Sequence, residues 1–166
     1  MKEITIRKGG VVLVDDEDFD ELNRAKWHLN SSGYACRCRT LESGKKKNSL
    51  MHREILCVTD SKIQVDHING DRLDNRKGNL RLCNHDQNNY NRGDISRNKL
   101  GLKGVVKMRC CNRYRAEIWF DRKRKHLGLF LTPEEAHAAY CEAAKELHGE
   151  FANFGRPSSR IDGARL

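Results

Sequence analysis

VDHINGDRLDNRKGNLRLCNHDQNNYN, residues 65–91, is the stretch that decides the fold. Two His stand in it among Asp, Asn, Arg and Gly. As unorganised chain it is a long polar loop with turn residues. As a folded unit it begins on a strand-like segment, 62–68, and turns through 69–78. It returns strand-like over 79–83 and ends in a short helix over 84–93. Asn84 is the expected N-cap, with Gln87 at N3 and Gly93 as the stop. Asp66 and His67 would leave opposite faces of a regular strand. The break at Ile68-Asn69-Gly70 is expected to bring both to one face. Asn79 then opens the returning strand opposite His67, and Asn88 stands on the helix.

Cutting a phosphodiester requires a divalent cation to neutralise the phosphate and the departing oxygen. It also requires a base for the attacking water, held in one orientation. Hard cations take oxygen ligands, and His is the natural base near neutral pH. The order Asp66-His67, Asn79, Asn88, set in MHREIL…VDHINGDRLDNRKGNLRLCNHDQNNYN, resembles the ββα-metal (His-Me finger) site of HNH endonucleases, in their phage and intron-encoded branch. The resemblance implies that His67 is the general base and that Asn79 orients it by accepting its N–H. It also implies that Asp66 and Asn88 bind one Mg²⁺, Mn²⁺ or other divalent cation. Asn89 competes with Asn88 by a one-residue slip, and His85 is a weaker rival. His52 matches a His of that branch, in a structural or a DNA-contacting role. Asp74, Asn75 and Arg76 are expected to fix the loop through side-chain to backbone bonds. Arg76 and Arg81 are also phosphate candidates.

The chain has 166 residues, 37% hydrophobic and 33% charged, so the core is modest and charged surface is left for a partner. No apolar run approaches the length of a membrane span, and MKEITIRKGG has no apolar h-region. The expected location is the cytoplasm of a bacterial or phage-infected cell. Seven Cys without a signal peptide argue against a disulfide framework, and the absence of a CxxC pair argues against structural zinc. Net charge is +9. Residues 96–166 hold 15 Lys/Arg against 8 Asp/Glu, giving +7, and residues 1–95 hold 17 against 15, giving +2. That asymmetry points to nucleic acid on the C-terminal side.

Before the opening stretch, residues 2–14 read as two short strands about Gly9-Gly10, and the acidic run after them as a helix. Residues 27–39 read as a hairpin through Ser-Ser-Gly, with Trp27 and Tyr34 in the core. Residues 41–49 read as a polar loop. Its Lys45, Lys46 and Lys47 form a solvated run, with phosphate contact as the alternative. Residues 50–56 read as a short helix or a strand-to-helix joint.

After the opening stretch, GVVKMR, RYRAEIWF and KRKHLGLF read as three strands. They are followed by a helix capped by Thr132, with Pro133 at N1 and Glu135 closing the capping box. Its buried stripe is Ala136, Ala139, Tyr140, Ala143, Ala144 and Leu147. The frame KGV, AEI, LGLF, T-EEA--AY--AA, G--A-NF is similar to the Apetala-type ethylene-response-factor DNA-binding domain. That resemblance implies a sheet laid in the DNA major groove with the helix behind it. Tyr114, Ala116 and Ile118 would face the helix. Arg113, Arg115, Glu117 and Trp119 would face outward. DNA-facing positions are then Lys103, Glu117, Trp119, Arg124 and His126, with Arg109, Arg113, Arg115 and Lys125 as phosphate candidates. Val106, Met108 and Cys110 stand where plant members carry Arg or Trp, so the plant target sequence is not implied.

The expected fold class is α+β: a nuclease domain over 1–94, β-rich at its start, with the ββα-metal element at about 62–93. A linker over 95–100, the sheet-and-helix domain over 101–155 and a tail over 156–166 follow. The expected activity is that of a monomeric homing-type endonuclease that nicks double-stranded DNA. The competing reading is a DNA-binding regulator with a relic nuclease element. An RNA-directed protein would need more exposed aromatic residues for stacking.

Overall fold

In a computed structural model, the structure describes residues 1–7, 9–40, 44–93 and 100–155. The fold is mixed α/β, with small antiparallel sheets and four helices among the described residues. The expected linker and tail fall mostly or wholly outside those residues. The chain forms two compact units, Met1–His85 and Asp86–Leu166.

The first unit opens on the hairpin β1 (Lys2–Ile6) and β2 (Gly10–Val14). Gly9 turns it at φ +86°, a conformation open to glycine at no steric cost. Alternation sends Ile4, Ile6, Val12 and Val14 to one buried face. Helix α1 (Asp16–Asn23) carries three acids in its first turn and buries Leu22, whose carbonyl accepts the Trp27 indole N–H at 2.7 Å. Strands β3 (His28–Leu29), β4 (Ala35–Thr40) and β5 (Lys46–Leu50) form one antiparallel sheet in that order. Asn30 Oδ1 builds the first turn by accepting from the Ser32 and Tyr34 amides. Residues 46–50, expected in a loop, are instead a strand in register with β4 from Thr40↔Lys46 to Cys36↔Leu50. The backbone of β4 supplies the partner that lysine composition does not announce. Helix α2 (Met51–Ile55) follows at once and buries Met51 in the core with Trp27 and Ala35.

Strands β6 (Gln64–His67) and β7 (Leu80–Cys83) form a two-stranded ribbon. The residue opposite His67 is Leu80. Asn79 sits one position earlier, in the 3-10 turn Lys77–Asn79 rather than in the strand. The loop between the strands is fastened to β2, where Leu13 N–H donates to Leu73 O at 2.9 Å and Asn75 N–H donates to Leu13 O at 2.8 Å.

Helix α3 (His85–Asn91) begins at the boundary of the units. In the second unit, β8 (Val105–Lys107), β9 (Tyr114–Phe120) and β10 (Lys123–Phe130) form a sheet with β9 central, covered on one face by α4 (Pro133–His148). Both halves of the Thr132–Glu135 capping box are present. Asp121 and Arg122 have φ of 50° and 58°, the signature of a two-residue type I′ turn that suits strand twist. Gly104 lets the helix close on the sheet, since a Cβ there would lie 2.0 Å from the Tyr140 ring. Ala116 and Ile118 point inward against Ala136, Tyr140 and Ala144, as the alternation predicts. His148 is also buried, beyond the expected stripe. Its ring stacks on Tyr90 at 3.9 Å and its Nε2–H donates to Trp119 O at 2.8 Å. Among the described residues no helix is long and apolar enough to cross a membrane.

Candidate active site

His67 ends β6, and the chain turns at once, Gly70 N–H donating back to His67 O at 2.8 Å. The loop that follows is a knot of short polar side chains. Asn69 Oδ1 accepts from Asp71 N–H, Asp71 Oδ1 from Leu73 N–H, and Asp74 Oδ2 from Asn69 Nδ2. Asp74 and Asn75 are fully buried, and Arg76 grips Asp74 with two nitrogens at 2.7 and 2.6 Å. The Arg76 guanidinium holds the Asp74 carboxyl below the usual range, so the pair stays ionised. Loop fixing by Asp74, Asn75 and Arg76 is what their residue types predict.

Asn79 does not bond to the imidazole as expected. Its Oδ1 accepts Asn69 N–H at 3.0 Å, and its Nδ2 donates to Asn69 Oδ1 and to Asp74 O at 3.0 and 2.8 Å. Its carbonyl accepts Ile68 N–H at 2.9 Å. Asn79 therefore closes the loop at the foot of His67. A neighbouring amide, that of the fully buried Asn75, favours the charged form of the ring.

Three rings gather at the site from three parts of the first unit. Tyr34 enters from the start of β4 and His52 from α2. The His52 and His67 rings meet edge to face at 5.2 Å, and Tyr34 lies 5.1 Å from His52 and 5.8 Å from His67. Arg72 covers Tyr34 at 5.0 Å while donating to Ser32 O. Burial pushes His67 below the ordinary imidazole range. Asn75 and the charges of Asp66, Asp71 and Asp74 offset this only in part. Burial drives His52 down to about 3, so it is a neutral packing ring. A neutral, oriented imidazole is the form a general base requires.

Asp66 is buried beside this cluster, and Arg81, its cross-strand partner, holds its Oδ2 at 2.7 and 2.8 Å. Arg81 thus meets a carboxylate within the fold and is 13% exposed, not displayed as a phosphate contact. Cys83 is pushed up to about 11 by burial, so it remains a neutral thiol and a poor cation ligand. Asn88 is half-buried on α3, and Asn89, the rival position, is exposed. Among the described residues no three His, Cys, Asp or Glu side chains gather as a metal site. Asp66, in the first unit, carries a carboxylate, and Asn88, in the second, an amide; both are oxygen donors of the kind a hard cation takes.

A profile of the HNH endonuclease family matches residues 59–90. Over 150 residues the chain is 31% identical to an uncharacterized HNH endonuclease, L560, of Acanthamoeba polyphaga mimivirus, covering 87% of this chain and 74% of that protein. The chain belongs to the HNH endonuclease family. This HNH endonuclease is therefore a DNA-cleaving enzyme. No solved structure matches it. The family profile begins after Tyr34 and His52, so two of the three rings at His67 come from outside the matched segment. The sequence placed Tyr34 in the core and gave no sign of Asn75 as a neighbour of His67.

In the second unit of the endonuclease, Arg115, Glu117 and Trp119 alternate away from α4, and register sets Arg124 beside Trp119 and His126 beside Glu117 on the same face. Glu117 bridges Arg115 at 3.0 Å and Arg124 at 3.5 Å, while Trp119 is 58% exposed. Arg109 and Arg113 are exposed at the β8–β9 turn, where Met108 N–H donates to Arg113 O. Two expected members stand apart. Lys125 pairs with Ile118 and so shares the helix-side face. Lys103 is half-buried, donates to Tyr90 O at 2.8 Å and is pulled down to about 8 by burial. Its ammonium serves α3 rather than the outer face.

Proposed function

We propose that the chain is a metal-dependent, homing-type HNH endonuclease that nicks double-stranded DNA as a monomer. The observation that carries this reading is His67: a buried neutral imidazole, walled by Tyr34 and His52, at the end of a strand whose preceding residue is the buried Asp66. HNH nucleases generally use a divalent cation. Held by Asp66 and Asn88, it would neutralise charge on the scissile phosphate and the leaving oxygen. His67 takes the proton from the attacking water. Asn75 and the nearby acids favour the imidazolium that results. Asn79 acts through the loop, holding Ile68 and Asn69 so that the ring of His67 keeps its aim. Water attacking in line leaves 5′-phosphate and 3′-hydroxyl ends. One such site per chain favours a nick over a double-strand break.

The second unit, in its likeness to the ethylene-response-factor domain, supplies DNA affinity through Arg115, Glu117, Trp119, Arg124 and His126. Arg109 and Arg113 lie at the rim for phosphates. The exposed Trp119 among arginines supports this reading, because such a face is stabilised by an anionic partner.

The decisive experiment uses supercoiled plasmid libraries with Mg²⁺ or Mn²⁺. The wild-type protein nicks, chelator abolishes nicking, and His67→Ala lowers the rate about 10²–10⁴-fold. Equal nicking by His67→Ala overturns the assignment of the base. Nicking that survives chelation overturns metal dependence.

A further inference from the structure

Strands β4 and β5 form a hairpin that is anchored at one end only. Cys36↔Leu50 is its packed base, with Cys36 buried. The next three facing pairs on its way to the tip that carry no core contact are Cys38↔Asn48, Arg39↔Lys47 and Thr40↔Lys46, and all six residues are exposed. Apart from the Cys38 thiol this part offers nothing apolar to bury. A two-stranded ribbon solvated on both faces is marginal on its own.

The charge pattern makes it less stable still. Arg39 and Lys47 stand directly opposite each other, and like charges so placed are destabilising. Among the described residues, the acid that reaches this face is Glu54, and it is already taken. Arg37 binds it with two nitrogens, at 3.0 and 2.5 Å, which leaves Arg39 a contact of 3.9 Å. Lys45, Lys46 and Lys47 make no ion pair among the described residues. Among the described residues the hairpin is thus a cationic finger, with the single acid Glu54 set against Arg37, Arg39, Lys45, Lys46 and Lys47.

Both of its strands run from the catalytic wall. Tyr34 lies immediately before β4, and His52 lies two residues after β5. From the base pair to Thr40↔Lys46 is four residues, about 13 Å at strand rise.

We propose that the β4–β5 hairpin is a DNA-backbone clamp, in which Arg39, Lys45, Lys46 and Lys47 grip phosphates to one side of the cut bond. The phosphates would separate the opposed Arg39 and Lys47 charges and neutralise both. The clamp rests on the DNA-cleaving activity of the chain. Only its distance from the cut depends on His67 being the base.

The test measures duplex binding by anisotropy across a salt series, with chelator present so that nothing is cut. Changing Lys45, Lys46 and Lys47 together to Gln is expected to lower the slope of log affinity against log salt by about 2–3 and to weaken binding at least about 10-fold. Lys47→Glu alone is expected to raise the thermal midpoint of the free protein while weakening DNA binding. A merely structural lysine would not separate those two effects. Ethylation interference should place the lost contacts together, to one side of the nick. Unchanged affinity and slope in the triple variant overturns the clamp, as does a Lys47→Glu protein that is less stable than wild type. Should His67→Ala still nick, the base assignment falls while the salt-slope result still decides the clamp.

Discussion

His52 shows how much a single buried ring can matter to a small unit. It is neutral down to about pH 3, whereas an unfolded chain would take up a proton near the ordinary imidazole value of 6.5. Its folded value is depressed, so its contribution is full above 6.5 and is lost as pH falls from there toward 3. Unfolding free energy should fall by roughly 1 kcal/mol per pH unit in that window from this group. His67, depressed for the same reason, adds in the same direction. Urea unfolding at a few pH values checks this, and His52→Phe should flatten the dependence while keeping the packing. At Tyr34, removal of the ring by Ala should lower kcat for nicking with little change in KM, and Tyr34→Phe should restore it. A KM effect alone would assign Tyr34 to substrate binding. The pairing of Asp66 with His67 at a strand end was legible because the two are adjacent in the chain, and the structure buries both. Tyr34 and Asn75 were not legible, since their closeness to His67 arises from the packing of β4 and of a knotted loop.

The loop 68–79 is an element without regular structure, yet it is as fixed as a strand. Its hub is Asn79, with four hydrogen bonds to Asn69, Asp74 and Ile68. Asn79→Ala leaves buried partners unsatisfied and should cost about 1–3 kcal/mol, measured by thermal or urea unfolding. It should also lower nicking without changing the affinity for duplex. The β9–β10 turn makes the opposite prediction. Arg122 holds φ of 58°, and its ion pair with Asp86 is highly exposed. Arg122→Gly should therefore stabilise the chain by up to about 1 kcal/mol. A lower melting temperature would show that the Asp86 contact outweighs the backbone strain. The hairpins and α4 were readable from alternation, turn residues and the Thr132–Glu135 box. Strand β5 was not, because lysines say little about pairing when a neighbouring strand supplies it.

At the scale of the whole chain, DNA affinity is expected to come from two separated basic surfaces. Arg124→Ala with Trp119→Ala should weaken duplex binding, and the loss should add to that of the lysine variant if the surfaces act independently. Less than additive losses would mean that one surface engages only after the other. Deleting residues 97–166 is a poorer probe than it looks from the sequence. The supports of α3 lie in that segment: Lys103 on Tyr90 O, Asn153 on Asn91, and the stacked ring of His148. Their dependence on the far end of the chain has a genetic consequence. The segment matched to the nuclease family, 59–90, crosses the boundary at 85/86, so the family match and the second unit share helix α3. A recombination joint in 94–99 would look clean in an alignment, yet it would hand α3 to a stranger. Exchanges of the second unit are therefore expected to survive only when the crossover falls before residue 84, or when the incoming segment brings its own equivalents of Lys103, His148 and Asn153.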